Sequence, residues 1–418
     1  ANTWEPNQLY INDGNGCFSE ESFLRGIEAI DGETRGCVVF DVNNDGWLDI
    51  FAVNWGMKNE MYINDGTGNF QRELRGAEGN VEDPEAIGTQ GVTVSDIDND
   101  GDYDIYISKR EKTNELYINQ NGQFTEQAAQ RNVAVPDRSD GATFADYDND
   151  GDMDLFVANT RAPGYEGSMK MYAFRNDGSG YFTDISGEMD MSMEGFTIQL
   201  FDTDNDVDLD LFRLRNTSYS NLACSILDLN DGNGNYDSAD YMGLVLTMAD
   251  ARGAVPYDFD QDGDLDLYIT TKLFENIYME NETPTTENYL QILTSGPAGD
   301  YGGVGSKIDV YEDGHMGQSA YLLGHREVTT ADGYLSGSGV LQHFGLGSRS
   351  FCDVRITRTD GSIIEEPHIA ANQRIQIGFE APDYKQLSYV SGDNQSGYLN
   401  QTLNAPLVVH LEDQDGNP

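Results

Sequence analysis

One nonapeptide recurs five times: Asp41-Val-Asn-Asn-Asp-Gly-Trp-Leu-Asp49, Asp96-Ile-Asp-Asn-Asp-Gly-Asp-Tyr-Asp104, Asp146-Tyr-Asp-Asn-Asp-Gly-Asp-Met-Asp154, Asp202-Thr-Asp-Asn-Asp-Val-Asp-Leu-Asp210 and Asp258-Phe-Asp-Gln-Asp-Gly-Asp-Leu-Asp266. The copies start 55, 50, 56 and 56 residues apart. A unit repeated at that period buries its apolar face only against neighbouring copies. Val38-Val39-Phe40 and Val92-Thr93-Val94 precede two of the acidic stretches. Ile50–Val53, Ile105–Ile107, Leu155–Val157 and Leu267–Ile269 follow four of them. These are β-branched and aromatic runs of strand length. A third run recurs at Met61–Asn64, Leu116–Asn119 and Ile277–Met279, and Asn-Asp-Gly turns follow at Asn64 and Asn176. Such turns favour the positive φ of tight hairpins. Each repeat reads as strand, acidic loop, strand, strand, glycine turn, strand. Four antiparallel strands in about 50 residues is the size of a propeller blade.

The acidic loops demand a counter-ion. Carboxylates crowded within nine residues repel one another unless a cation sits among them, and oxygen-only donors in a flexible loop select Ca²⁺ over Mg²⁺. The candidate ligands are Asp41, Asn43, Asp45 and Asp49; Asp96, Asp98, Asp100 and Asp104; Asp146, Asp148, Asp150 and Asp154; Asp202, Asp204, Asp206 and Asp210; Asp258, Asp260, Asp262 and Asp266. They occupy positions 1, 3, 5 and 9, with a backbone carbonyl expected from position 7 and about five ions in all. No Glu stands at position 12 and no helix flanks the loops, so they are not EF-hands. Asn43 is a neutral but competent ligand. Val207 replaces the position-6 glycine, and a β-branched residue disfavours φ > 0, so a distorted fourth loop is expected. Asp228, Asp231, Asn233, Asn235 and Asp237 make either a sixth cation site or an elaborated turn. Loops of this kind in extracellular modules bind calcium at roughly 10⁻⁴–10⁻³ M, which implies a secreted or cell-surface protein.

The net charge of −49 excludes nucleic acid and anionic membrane surfaces as partners. No apolar run approaches the 18 residues of a membrane span. The chain starts at Ala1 with no apolar leader, which fits removal of a signal peptide or a boundary inside a longer chain. Cys17, Cys37, Cys224 and Cys352 form no CxxC pair; Cys17 and Cys37 either close a disulfide loop or all four are free thiols. No metalloprotease, Walker or nucleophile-elbow motif is present, and all five histidines, His315 to His410, lie beyond the repeats. The expectation is a non-enzyme.

Residues 37–280 resemble the FG-GAP/VCBS class of calcium-loop β-propeller repeats, also found in integrin α-subunit heads. Gln8–Phe18 resembles the second half of a repeat without its own loop, expected to lend outer strands to the last blade and so close the ring. Gly305–Tyr311, Arg326–Val328, Asp332-Gly-Tyr-Leu-Ser336 and His343-Phe-Gly-Leu-Gly347 follow in order. That succession resembles the ASPIC/UnbV domain of the cartilage acidic protein family, although Arg358-Thr-Asp-Gly361 stands where Trp-Pro-x-Gly is usual. The resemblance implies an all-β chain: a β-propeller at 1–285, with five visible calcium-loop blades and five to seven in total, and a small C-terminal β-sandwich at 286–380. It also implies that His343 makes a structural hydrogen bond.

Segment 381–418 reads as a linker around Ser391–Gly397 followed by Ala405–Pro418, which resembles the opening strand of a bacterial Ig-like repeat, so a longer parent protein is expected. The bland alternative is a strand packed on its own domain. Three functions follow. The first is a calcium-stabilised interaction or adhesion module for an extracellular protein or glycan. The second is a structural subunit of an extracellular filament or assembly, self-associating through the tail. The third is a calcium-dependent lyase or cyclase on the propeller face.

Overall fold

The computed structural model describes residues 6–27, 33–79, 88–110, 112–136, 138–160, 170–215, 225–232, 236–238, 251–272, 275–283, 286–297, 301–334, 337, 339–379, 386–391 and 408–412. Among them the helical element is a 3-10 turn at Ser319–Tyr321; everything else regular is strand. No helix of the described residues is long and apolar enough to cross a membrane.

Five meander sheets follow in chain order. Sheet 1 runs Glu33–Phe40, Asp49–Trp55, Glu60–Asn64, Phe70–Glu73; sheet 2 Thr89–Ser95, Asp104–Lys109, Glu115–Gln120, Gln123–Glu126. Sheet 3 runs Ser139–Ala145, Asp154–Asn159, Tyr172–Asn176, Phe182–Asp184; sheet 4 Gly195–Phe201, Asp210–Arg215, Ile226–Asn230, Tyr236–Ser238. Sheet 5 has three strands, Ala251–Tyr257, Asp266–Thr271 and Ile277–Met279. The first strand of each sheet packs on the first strand of the next. The apolar cores therefore lie between consecutive sheets: Val38, Val53, Val92 and Ile107 between the first two, Ile118, Val133, Leu155 and Phe174 between the next. Fully burying such side chains is worth about 1.5–3 kcal/mol each. The chain is an all-β propeller with an appended sandwich.

The N-terminal hairpin, Tyr10–Asn12 with Phe18–Glu20, corrects one expectation: among the described residues it forms a two-stranded sheet of its own and packs against sheet 1. The Phe70 N–H donates to the Arg25 carbonyl (2.7 Å) and Arg25 Nη1 to the Gly68 carbonyl (2.9 Å). The same latch joins sheet 1 to sheet 2 through Phe124 and Arg75 (2.7 Å), and sheet 2 to sheet 3 through Phe182 and Arg131 (3.2 Å). The hairpin thus occupies the place of an outer half-blade ahead of sheet 1. Among the described residues it joins no ladder of sheet 5, where Ile277–Met279 fills the third-strand position.

Beyond residue 286 two sheets pack face to face. Asn288–Thr294 lies between Gln342–Gly347 and, in parallel, Gln373–Ile377; Lys307–Glu312 lies between Leu322–Glu327 and Phe351–Thr357, with Ile363–Ala370 outside. Leu290, Ile292, Ile308, Val310, Phe344 and Val354 fill the space between them. The loop after Leu322–Glu327 runs down the propeller channel. Thr330 Oγ1 bonds both the N–H and the carbonyl of Val39 (2.9 and 3.0 Å), and Thr93 Oγ1 donates to the Ala331 carbonyl (3.1 Å). The Gly333 N–H reaches the Ala142 carbonyl (2.9 Å), the Tyr334 N–H reaches Thr197 Oγ1 (2.9 Å), and Gly339 lies beside Tyr257. One segment therefore touches the innermost strand of all five sheets and plugs the channel.

Residues 1–377, spanning both of these parts, form one compact unit and 378–418 a second. In the second, Gln386–Ser391 pairs antiparallel with Val408–Glu412. The expected linker, apart from Ser391, lies outside the described residues, as do Ala405–Leu407 and residues 413–418 of the expected Ig-like strand.

Candidate metal centre

Each acidic nonapeptide joins the first two strands of its sheet. Position 4 adopts the left-handed conformation in every copy (Asn44, Asn99 and Asn149 at φ 56, Asn205 at 66, Gln261 at 67), as does position 6 (Gly46 at φ 87 to Gly263 at 101). Asn tolerates this region better than most residues and Gly accepts it without penalty. In the first three loops the position-1 aspartate then accepts the N–H groups of positions 5 and 6: Asp41 from Asp45 (3.1 Å) and Gly46 (2.8 Å), Asp96 from Asp100 (3.0 Å) and Gly101 (2.9 Å), Asp146 from Asp150 (3.0 Å) and Gly151 (3.1 Å); in the fifth, Asp258 accepts from Gln261 at position 4 (2.6 Å). Val207 sits at φ 97, yet the fourth loop keeps this pattern, with Asp202 accepting from Asp206 (3.2 Å) and Val207 (2.9 Å). The expected distortion is absent from these bonds. The Val207 side chain packs on the sandwich core, which offsets the backbone strain.

Carboxylate oxygens gather within 4.8 Å of one another at Asp96, Asp98 and Asp100; at Asp146, Asp148 and Asp154; at Asp202, Asp204 and Asp206; and at Asp258, Asp260 and Asp262. In the first loop Asn43 Nδ2 donates to Asp45 Oδ2 (3.0 Å). Position 9 has a further duty. Asp49 accepts from the N–H of Val42 (2.9 Å) and of Asn64 (2.7 Å), and Asp210 from Thr203 (2.9 Å) and Asn230 (2.9 Å). It ties the loop start to the third strand, and it joins the oxygen cluster only through Asp154.

The electrostatics fit a cation. Burial, reinforced by neighbouring carboxylates, pushes Asp49, Asp146 and Asp210 up to about 7 and Asp154 to about 9, and holds Asp104 and Asp202 well above the carboxylate range. Asn43 Oδ1, Asp98 Oδ1 and Asp104 Oδ2 are buried and accept no hydrogen bond. Orphaned acceptor oxygens among crowded carboxylates are the arrangement a hard divalent ion satisfies, through charge neutralisation and oxygen ligation.

Two sets of asparagines were not singled out from the sequence. The position-4 residue reaches forward to the next loop: Asn44 Nδ2 to Asp102 Oδ1 (2.6 Å), Asn99 to Asp152 (2.9 Å), Asn149 to Asp208 (3.5 Å), and Asn205 to the Gly263 carbonyl (3.1 Å). Position 7 is Asp in the second to fifth loops and Trp47 in the first, and in the second, third and fourth it is the acceptor of the preceding loop's asparagine. The third-strand asparagine joins loop, turn and neighbouring sheet. Asn176 Nδ2 donates to the carbonyls of Ile97 (2.8 Å) and Met153 (3.1 Å), and its Oδ1 accepts from Gly178 (3.1 Å) and Gly180 (3.0 Å). The recurrence of Asn before Asp-Gly was the available signal. Asn176→Ala strands these buried partners, and a chemical melt should show a loss of about 2–4 kcal/mol. A change below about 0.5 kcal/mol would show that water replaces the side chain.

The sandwich covers this rim. Lys307 Nζ lies 2.7 Å from Asp96 Oδ2 and 3.0 Å from Asn99 Oδ1. Gln291 Nε2 donates to Asp258 Oδ2 (2.7 Å), and His343 Nε2 meets Asn205 Oδ1 (2.7 Å). Gly345 lies directly against Asp202, and the Gly347 N–H donates to the Asn205 carbonyl (2.8 Å). Family models match here in the order the repeats imply. The FG-GAP-like repeat matches residues 41–107 and 96–157, and ASPIC and UnbV matches residues 296–383. The chain carries FG-GAP-like repeats and an ASPIC/UnbV domain. The ASPIC/UnbV element His343–Gly347 is thus the part that clasps the fourth acidic loop, and Asp332–Tyr334 the part that enters the channel. No curated protein matches the chain. Among solved structures, an Agrocybe aegerita lectin recognising non-reducing terminal N-acetylglucosamine shares 17% identity over 66% of this chain and 71% of its own, TM-score 0.46. The BP39L lectin of Burkholderia pseudomallei shares 12% over 87% and 93%, TM-score 0.36. The Dos1 propeller shares 10% over 83% and 72%, TM-score 0.36.

The remaining candidates are structural or lie elsewhere. Asp228 is buried in a salt bridge with Arg213, Asp231 is exposed, and residues 233–235 lie outside the described set, so the described part of that cluster gathers no ion site. Cys17 and Cys37 are free thiols, as is the buried Cys352, whose thiol burial pushes up to about 12; Cys224 lies outside the described residues.

Proposed function

We propose that the chain is a calcium-stabilised extracellular interaction module, built to bind rather than to turn over a ligand. The observation that carries this reading is the row of aspartate clusters at equivalent places in consecutive sheets, with buried oxygens that accept no hydrogen bond. Sites of this ligand type fill at the millimolar calcium found outside cells and stay empty at cytosolic levels. The non-catalytic part rests on where the titratable groups go. His325 Nδ1 is engaged by Asp309 (2.6 Å), His368 Nδ1 by Asp313 (3.0 Å), and His343 by Asn205 (2.7 Å), with burial and then the Arg326 charge pushing its imidazole down to about 3. Loop carboxylates that ligate a cation would be poor general acids.

Native mass spectrometry in 1 mM Ca²⁺ tests the reading: about five ions per chain are expected, displaced by EGTA. A chain that carries one ion or none under these conditions would overturn it. Light scattering on the same sample separates a monomeric module from a filament subunit, which would grow on calcium addition.

A further inference from the structure

The position-7 aspartates of the acidic loops are covered in a regular way, and the fifth loop departs from it. Asp102 accepts the Asn44 amide on one oxygen (2.6 Å) and the Asn121 N–H on the other (2.6 Å). Asp152 accepts the Asn99 amide (2.9 Å) and Asp208 that of Asn149 (3.5 Å). The second oxygen of each lies against the turn between the third and fourth strands, where a Cβ on Gly178 or Gly232 would stand 2.5 Å away. Asp264 has neither cover. Asn205 gives its amide to the Gly263 carbonyl (3.1 Å), and among the described residues sheet 5 ends at its third strand, so no turn to a fourth strand reaches back. Asp264 is nonetheless only 8% exposed, and its Oδ1 is buried and accepts no hydrogen bond. A buried carboxylate oxygen without a donor is costly, and folded proteins keep few of them.

Beside Asp264 lies a cavity of about 510 Å³. Asp262, Asp264, Glu282 and Glu287 line it, and no lysine or arginine stands among its described walls. On the sandwich side Tyr289 forms an apolar wall, fixed against Gly263 and stacked on His343 (centroids 5.8 Å apart). A bare metal ion does not match this space. The fifth loop's own oxygen cluster is Asp258, Asp260 and Asp262; among the described residues Asp264, Glu282 and Glu287 join no group of three within 4.8 Å. The volume is also many times the ~30 Å³ that one water occupies. Carboxylates spread around a roomy cavity suit an organic cation with several donors. A guanidinium carries five N–H groups in a planar fork and is more weakly hydrated than an ammonium, so it gives up water more readily on entering.

We propose that this cavity receives the guanidinium of an arginine side chain from a partner protein, which donates to Asp264 and Glu282 while its aliphatic stem lies along Tyr289. The proposal rests on the reading of the chain as a binding module and names the group that the partner presents. A net charge of −49 favours encounter with basic partners, and the unpartnered Asp264 supplies the point of capture.

Ligand-observed NMR titration of the calcium-loaded full chain tests it, in about 0.15 M salt, where exposed charges beyond about 8 Å are screened. The probes are N-acetylarginine amide, its neutral isostere N-acetylcitrulline amide, and N-acetyllysine amide. The arginine compound is expected to bind at least about tenfold more tightly than the citrulline compound and about threefold more tightly than the lysine compound. Glu282→Gln, outside the acidic loops, should weaken the arginine compound about fivefold, and Asp264→Asn about tenfold, each read against the parent at a matched ion count. Citrulline binding as tightly as arginine, lysine binding as tightly or more so, or two folded variants that bind like the parent would each overturn the assignment. A sixth calcium that displaces the arginine compound would give the cavity to a metal and overturn it too. The comparison of arginine with citrulline on the parent chain stands even if a variant fails to fold. Loss of this selectivity in a chain that takes up its five ions removes the arginine site alone; failure to take up the ions removes the module reading.

Discussion

Stripping the chain of calcium at pH 8 should lower its melting temperature by roughly 10–20 °C. Each site of about 10⁻⁴ M affinity in 1 mM Ca²⁺ contributes about 1.4 kcal/mol, so five contribute about 7 kcal/mol, comparable to the whole stability of an ordinary domain. The size of this loss depends on pH in a direction set by the buried carboxyls. Without the ion, Asp49, Asp146 and Asp210 titrate in the fold at about 7 and Asp154 at about 9, against about 4 in the unfolded chain. The folded state therefore holds more protons between those values. Ion-free stability is greatest in acid and is lost as pH rises through 7 to 9. Calcium reverses this by favouring the ionised carboxylates. Differential scanning calorimetry with calcium or EGTA should show curves close together at pH 5 and far apart at pH 8. Equal separation at both pH values would mean that the buried aspartates are not the groups the ion displaces protons from.

Replacing Gly345 by valine should loosen the clasp of the ASPIC/UnbV domain on the fourth loop and destabilise the whole unit, while the plugging segment still holds the two parts together. A Cβ at this position meets Asp202 Oδ2 at 1.9 Å and the Asn205 backbone at 2.7 Å, whereas within its own sheet Gly345 merely pairs with Tyr289 in a ladder that accepts valine. Overpacking of this kind costs about 1–3 kcal/mol where neighbours can yield and more where the obstacle is backbone. The calorimetric transition should move down by a few degrees. Gly187→Val is the control, since Gly187 faces open space and has no positive φ. A single unshifted transition in the Gly345 variant would show that the fourth loop is not part of the clasp.

What could be read from the residues alone was whatever chemistry is local. A carboxylate cage needs its ligands within nine residues, so the loops declared themselves, and the strand–loop–strand alternation around them gave the blade. Contacts with no local signature stayed hidden. Thr330 and Val39 are 291 residues apart, and nothing in Asp332-Gly-Tyr says that it enters a channel. Val207 read as a fault because its partner, the sandwich core, is supplied by a distant segment. The N-terminal half-blade was recognisable, but its neighbour was not, because the latch depends on backbone carbonyls of Arg25, Arg75 and Arg131. The Arg-Gly pairs at Arg25 and Arg75, repeated as Arg-Asn at Arg131, were the trace of it.

The forward-pointing asparagines give the rim a polarity. Asn44, Asn99, Asn149 and Asn205 each hand a side-chain N–H to the following loop and take none in return through the same side chain. A disturbance of one link therefore deprives its successor of a donor and its predecessor of an acceptor, and the link from Asn205 is buried. The array is directional: each loop after the first is tied by a donor that the loop before it supplies.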